Sequence, residues 1–205
     1  MDKDFSFKKP VILIVNGHSS ASKSSTIEII QRYCNQPIFQ LSFDTFFLSL
    51  GPKYLGIHSD TGFNFHSYYK EDATTQEKLR TEIHYGKYGM IAAKALPRAL
   101  LYPYEQGLNV IVDDVIYYPE LIDNYKEVLK GTNTYFIHLY CDDVMLMGRE
   151  RYRFNRSLGL GIAQQELMLK QDIKYDLVID NTHLSPEEVA EKIIQHVNGH
   201  EPQVI

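Results

Sequence analysis

The chain has no tryptophan and only two cysteines, Cys34 and Cys141, which stand far apart with no C-x-x-C pair. That excludes a disulfide framework and a cysteine-based zinc site, and leaves two reduced thiols as small core residues. Positive charge is not in excess: 21 Lys plus Arg face 26 Asp plus Glu, for a formal net charge of -5. Such a balance argues against general nucleic-acid binding but permits a local basic cluster around a small anion. No apolar run reaches the roughly 20 residues of a membrane helix, and Met1 to Pro10 mixes both charge signs, so neither an export leader nor a span is expected. Repeats, long linkers and low-complexity stretches are also missing. The expectation is one cytoplasmic domain, residues 1–205, with no membrane or nucleic-acid partner; nothing in its elements counts subunits.

What is present starts at Val11-Ile-Leu-Ile-Val-Asn-Gly17-His-Ser-Ser-Ala-Ser22-Lys23-Ser24-Ser-Thr-Ile-Glu-Ile-Ile30. An unbroken apolar run reads as a buried strand, small residues follow as a turn, and Ile27, Ile29 and Ile30 suggest a helix packing back on a sheet. Phosphate loops have the pattern G-x-x-x-x-G-K-[ST]. Their amides point at phosphates, their Lys adds mobile charge, and their hydroxyl binds Mg²⁺. Gly17, Lys23 and Ser24 fit; Ser22 stands where the second Gly belongs, at a turn that Gly tolerates more easily. Ser19, Ser20, Ala21 and Ser25 complete the candidate loop. A solvated Lys in a plain Ser-rich turn is the competing reading, but it leaves a cation opposing the helix dipole unexplained unless an anion is bound.

Pro37 to Ser42 is a second strand candidate that delivers Asp44 to the strand's C-terminal end, the edge where open parallel sheets bind ligands. Asp44 is either a general base for an attacking hydroxyl, a helix cap, or both. Residues 43–69 are rich in aromatics and turn formers, which wall a pocket or simply build core; 43–75 is the candidate acceptor segment. From Thr74 onward the chain reads as helical, and Tyr88 to Tyr104 carries an apolar face with Pro97 as a candidate kink. Asn109 to Asp114 is a third strand ending on two carboxylates, like a Walker B element. Alternation sends Asp113 and Asp114 to opposite sides, so either one serves a metal or caps a helix.

Thr134 to Tyr140 is a fourth strand, followed by a helix carrying Arg149, Arg151, Arg153 and, just beyond, Arg156. If the helix continues, Arg149, Arg153 and Arg156 share one side and can grip a polyphosphate, or they form a solvated charged face. The candidate lid spans roughly 148–170. Tyr175 to Asp180 is a fifth strand, and Ser185-Pro-Glu-Glu188 spells a capping box opening the last helix. The tail from Gly199 is expected to fray. Five strands alternating with helices give an α/β domain with a parallel sheet.

Taken together, Asn16-Gly-His-Ser-Ser-Ala-Ser-Lys-Ser, Leu41-Ser-Phe-Asp-Thr-Phe-Phe, Val110-Ile-Val-Asp-Asp-Val115, Gly148-Arg-Glu-Arg-Tyr-Arg-Phe-Asn-Arg156 and Tyr175-Asp-Leu-Val-Ile-Asp-Asn-Thr-His resemble the chloramphenicol phosphotransferase-like family. The resemblance implies a P-loop kinase fold, an αβα sandwich with a five-stranded parallel sheet and a helical lid, which moves the γ-phosphate of ATP onto a hydroxyl of a small molecule. It places Lys23 and Ser24 on the phosphate and metal positions, Asp44 on the base, Arg149, Arg153 and Arg156 on the lid arginines, and Thr182 and His183 beside the adenine. ATP and Mg²⁺ are the implied cofactors. A nucleotide-binding protein without transfer chemistry, and a kinase for a nucleoside or sugar, are the alternative readings.

Overall fold

The five apolar runs become five parallel strands in the computed structural model, which describes residues 4–56, 60–71, 77–152 and 157–205. In chain order the elements are β1 (Ile12–Asn16), α1 (Lys23–Tyr33), β2 (Ile38–Ser42), α2 (Phe43–Ser49), β3 (Phe63–Glu71), β4 (Glu77–Tyr85), α3 (Lys87–Glu105), β5 (Asn109–Asp114), α4 (Pro119–Val128), β6 (Thr134–Tyr140), α5 (Asp143–Arg151), α6 (Leu160–Leu169), β7 (Leu177–Asp180) and α7 (Pro186–Gly199). The sheet order is β2-β5-β1-β6-β7. β1 is central, so both its faces are covered, which explains its unbroken apolar run. Leu13 and Val15 point toward α1 and α7 with Ile27, Ile30, Val189 and Ile193. Ile12 and Ile14 point the other way, toward α3 and α4 with Leu96, Leu100 and Leu121. These residues have no more than 5% exposure, and each buried side chain of this size contributes about 1.5–3 kcal/mol.

Two local expectations need correction. The stretch expected to be helical from Thr74 onward is, over its described residues Glu77–Tyr85, a strand, paired antiparallel with β3 from Phe63↔Tyr85 to Glu71↔Glu77. Its sequence alternates Leu79, Thr81, Ile83 and Tyr85 on one face with Lys78, Arg80, Glu82 and His84 on the other, a period of two. α3 runs through both Pro97 and Pro103. The tail is not frayed either. Gln203 N donates to Asp176 Oδ1 at 2.6 Å, Tyr135 Oη donates to His200 O at 2.6 Å, and Val204 and Ile205 pack on the α3–α4 side of the core. The capping box forms as read, with Glu188 N donating to Ser185 Oγ and Ser185 N to Glu188 Oε2.

Register brings the chemistry to one edge. Val15 lies beside Asp113, and Ser42 lies beside Asp113 on the other side. The ends of β1, β5 and β2 therefore deliver the β1–α1 loop, Asp113 and Asp44 to the same crevice, although β2 is not adjacent to β1.

Candidate active site

The loop between β1 and α1 is tied down at both ends. Asn16, fully buried, accepts from Gly17 N and Ile116 N on Oδ1 and donates from Nδ2 to Ile116 O and Tyr175 Oη, so all its polar capacity is used. A Cβ on Gly17 would stand 2.3 Å from Leu139 O, so only glycine lets the loop start this close to β6. His18 is buried with Nδ1 2.8 Å from Ser19 O and Nε2 accepting from Cys141 N at 3.3 Å. A carbonyl accepts and an amide donates, so the proton sits on Nδ1 and the ring is neutral. Burial agrees, holding its pKa down to about 4.

Ser20 and Ser22 have φ of 66° and 61°, and they are the only non-glycine residues with positive φ among the described residues. Each left-handed residue costs roughly 1–2 kcal/mol. The loop thus keeps the backbone shape that glycine would supply, at the strain expected for Ser22. Lys23, 6% exposed, opens α1 and donates from Nζ to Gly17 O at 2.8 Å and His18 O at 3.0 Å, with Asp113 Oδ1 at 3.5 Å.

The two carboxylates at the end of β5 part company. Asp113 faces the loop and accepts from Ser24 Oγ at 2.6 Å. Asp114 turns into the core, where it accepts from Tyr125 Oη at 2.5 Å and Val115 N at 2.7 Å, and burial pushes its pKa up to about 6. Of the two candidate metal residues, the structure brings Asp113 and not Asp114 to Ser24. Asp44 lies in the first turn of α2, whose N-cap is Ser42, so it does not cap that helix itself.

A cavity of about 350 Å³ joins these groups: Lys23, Ser24, Asp113 and Asp44 line it together with Ser19, Ser20, Ala21 and Ser22. Its opposite wall is apolar, formed by Phe43 and Phe47 of α2, Phe65 of β3, and Ile83 and Tyr85 of β4. Phe43 stacks on Tyr85 with ring centres 5.6 Å apart, and Phe47 packs on Phe63 at 4.7 Å. The aromatic segment is both core and wall. The Ser19 and Ser20 hydroxyls are buried and have no hydrogen-bond partner among the described residues, so the loop holds two donors in reserve beside the cavity. Ser25 is half-buried on α1 and does not line it.

Around the rim, α5 ends at Arg151. Arg149 reaches Ser20 O at 3.4 Å and Asn181 Oδ1 at 3.2 Å, while Arg153 and Arg156 lie outside the described residues. Asn181 Nδ2 donates to Ala21 O at 2.6 Å. Thr182 Oγ1 donates to Asp180 Oδ1 at 2.6 Å and accepts from Asp142 N at 2.9 Å. With His183, it lines a shallow groove between β7 and α7 rather than the cavity. Glu150, 3% exposed, accepts from Gly159 N at 2.9 Å and Gly161 N at 2.6 Å, which caps the start of α6 from outside.

The model of the chloramphenicol phosphotransferase-like proteins matches residues 10–198. The chain belongs to that family. Two Mycobacterium tuberculosis proteins, from strains CDC 1551 / Oshkosh and ATCC 25618 / H37Rv, are provisionally named O-phosphotransferases. Each is 26% identical to it over 184 residues, which is 89% of this chain and 80% of theirs. Among solved structures, the M. tuberculosis APS kinase in complex with AMPPNP and APS superposes with a TM-score of 0.58 at 14% identity, over 92% of this chain and 98% of that one. A gluconokinase from Sinorhizobium meliloti 1021 gives 0.57 at 16% identity, over 92% and 91%. At such identities the likeness shows the fold, that of P-loop kinases. Family and fold together class the chain as a small-molecule kinase, as its motifs imply.

For a member of the chloramphenicol phosphotransferase-like family, four site residues escape a motif reading: Asn16, His18, Gln164 and Asn181. Asn16 could have been found as a polar residue closing a fully apolar strand, since its buried amide demands partners. His18 ties the loop to Cys141, and Gln164 and Asn181 reach the loop, through pairings that no local pattern announces.

Proposed function

We propose that this protein is an ATP- and Mg²⁺-dependent O-phosphotransferase for a small molecule with a hydroxyl group and a flat apolar body, chloramphenicol-like in chemistry. The observation that carries the reading is the one cavity in which Lys23, the Ser24–Asp113 pair, Asp44 and an aromatic wall meet. Phosphoryl transfer needs positioning and charge stabilisation more than covalent help. Lys23 and the loop amides bind the donor phosphates, with Arg149 and, by resemblance, Arg153 and Arg156 beside them. Thr182 and His183 take the adenine side.

A hydroxyl and a carboxylate 2.6 Å apart are hard oxygen donors that suit Mg²⁺, so Ser24 and Asp113 would hold it. Bound there, the ion neutralises phosphate charge. Asp44 accepts the acceptor's hydroxyl proton as the oxygen bonds to the γ-phosphorus and the bridging P–O bond breaks, releasing ADP. Lys23 is the one Lys or Arg among the described lining residues, so the described wall offers no second cation for an acceptor carboxylate or phosphate. An apolar wall favours an aromatic or otherwise lipophilic acceptor over a sugar or nucleotide.

The strained Ser22 favours one second reading, a protein that binds nucleotide without transferring phosphate. A screen of hydroxyl metabolites with MgATP, with Lys23→Ala as blank, paired with calorimetry of MgATP binding, separates the two. Phosphorylated product absent from the blank supports the kinase. Binding heat with no product across the library supports the second reading, and no heat overturns both.

A further inference from the structure

Helix α6 touches both halves of the cavity. Gln164, 3% exposed, faces the β1–α1 loop, and its Oε1 accepts from Ser19 N at 2.7 Å. A backbone amide only donates, so the oxygen end of the carboxamide is fixed against Ser19 and its NH₂ is turned away, on a side chain that lines the cavity with Lys23. Two residues on, about 200° around the helix, Glu166 faces the hairpin of β3 and β4. One of its oxygens accepts from Arg80 Nε at 3.0 Å and Nη2 at 2.9 Å, and the other accepts from Lys70 Nζ at 2.5 Å. Arg80 is buried, so this carboxylate is the partner that makes its charge tolerable. The start of the helix is joined to the same hairpin: Thr81 N donates to Gly159 O at 3.2 Å and Thr81 Oγ1 to Leu158 O at 3.0 Å.

The geometry points to a mechanical link built on Gln164 and Glu166, through which phosphate in the loop firms the wall that receives the acceptor. The inference rests on the phosphotransfer reading to the extent that the loop must take a nucleotide. Phosphate oxygens accept a hydrogen bond from the Gln164 NH₂ while its oxygen keeps the Ser19 amide, which fastens α6 to the loop. Glu166 passes that restraint to Arg80 and Lys70, and so to Phe65, Ile83 and Tyr85 on the cavity side of the hairpin. Gln164 is a phosphate contact, and Glu166 is a positioning residue that acts through the hairpin. Nucleotide and acceptor then favour each other's binding, by reciprocity of linkage.

Hydrogen exchange read by mass spectrometry, with and without Mg²⁺ and the ATP analogue AMPPNP, tests the link without knowing the acceptor. In the wild-type protein, exchange slows at residues 17–24 and also along β4, there by at least about fivefold, the lower end of ordinary coupling. Glu166→Gln and Arg80→Lys, the second of which keeps the buried charge, retain the loop response and lose the β4 response; Gln164→Leu weakens both. Unchanged slow exchange in β1 and β5 certifies that each variant is folded. A protected loop with an unresponsive β4 in the wild type overturns the link, as does a full β4 response in both Glu166→Gln and Arg80→Lys. No protection anywhere overturns the nucleotide reading and the link with it.

Discussion

The two sides of the cavity are held by different means. On the donor side, the β1–α1 loop hangs from the central strand and is tied within itself, with Lys23 bonded to carbonyls five and six residues away. On the acceptor side, the hairpin is fastened to α6 by side chains, Arg80 and Lys70 meeting Glu166 from 86 and 96 residues away. The donor side is built on a rigid strand edge, its loop reached by the neutral side chains of Gln164 and Asn181, and the acceptor side from ionic contacts on a separate pair of strands. In the proposed reaction the donor phosphates are the same for any acceptor while the acceptor's body is not, so the division matches that chemistry.

The largest effect should come from Lys23→Ala, which removes the cavity's one described cation. We expect phosphate transfer to fall by about 10²–10³ or more, as for loss of a charge-stabilising donor. Two loop carbonyls also lose their partner, so some loss of urea stability accompanies it. Transfer retained at wild-type rate would detach the donor side from catalysis. Asp44→Asn should lower turnover by about 10²–10⁴ through loss of the base. Its melting temperature should stay near that of the parent, since Asp44 is exposed; full activity in the purified variant would remove the base from the scheme.

On the acceptor side, Gly159→Ala probes the joint between α6 and the hairpin. Gly159 has φ +77°, and a Cβ there would stand 2.1 Å from Leu79 O. Left-handed strain alone gives about 1–2 kcal/mol of destabilisation in a denaturant titration, and the clash adds to it. If the loss is no larger than for an alanine on an exposed helix face, hairpin and α6 are not joined there.

Acid should loosen the donor side first. His18 and His138 are held at about 4 by burial, below the ordinary 6.5, so their contribution is present above 6.5 and lost as pH falls toward 4. Asp114, raised by burial to about 6 from 3.8, works in the opposite sense, with its contribution fullest below 3.8 and lost as pH rises through 6. Two groups against one leave a net loss on the order of 1 kcal/mol per pH unit between about 6 and 4. Urea midpoints at three pH values measure it, and Asp114→Asn should steepen the fall. Smallest of all, Ser22→Gly should relieve about 1 kcal/mol of loop strain, less some unfolded-state entropy. Calorimetry on that variant would show whether the serine also weakens MgATP binding.

The same division governs what could be read from the chain alone. The five strands, the strand–loop–helix, the capping box and the family were legible because each is written in contiguous residues whose period or spacing carries the physics. Asp113 and Asp114 were legible as a pair but not as individuals, because alternation parts them without saying which faces the loop. The second strand of the hairpin was misread as helix because its short alternating run lies among aromatics and charges, although Leu79, Thr81, Ile83 and Tyr85 do keep a period of two. Gln164, Glu166 and Asn181 act on partners far along the chain, and no local pattern encodes such meetings.

The absence of tryptophan has a practical sequel at the aromatic wall. An indole placed at Phe47, which stands between Phe63 at its back and the cavity in front, would be the protein's sole red-shifted emitter. Its brightness and colour would then announce the arrival of any lipophilic alcohol, turning an unknown acceptor into something a plate reader can look for.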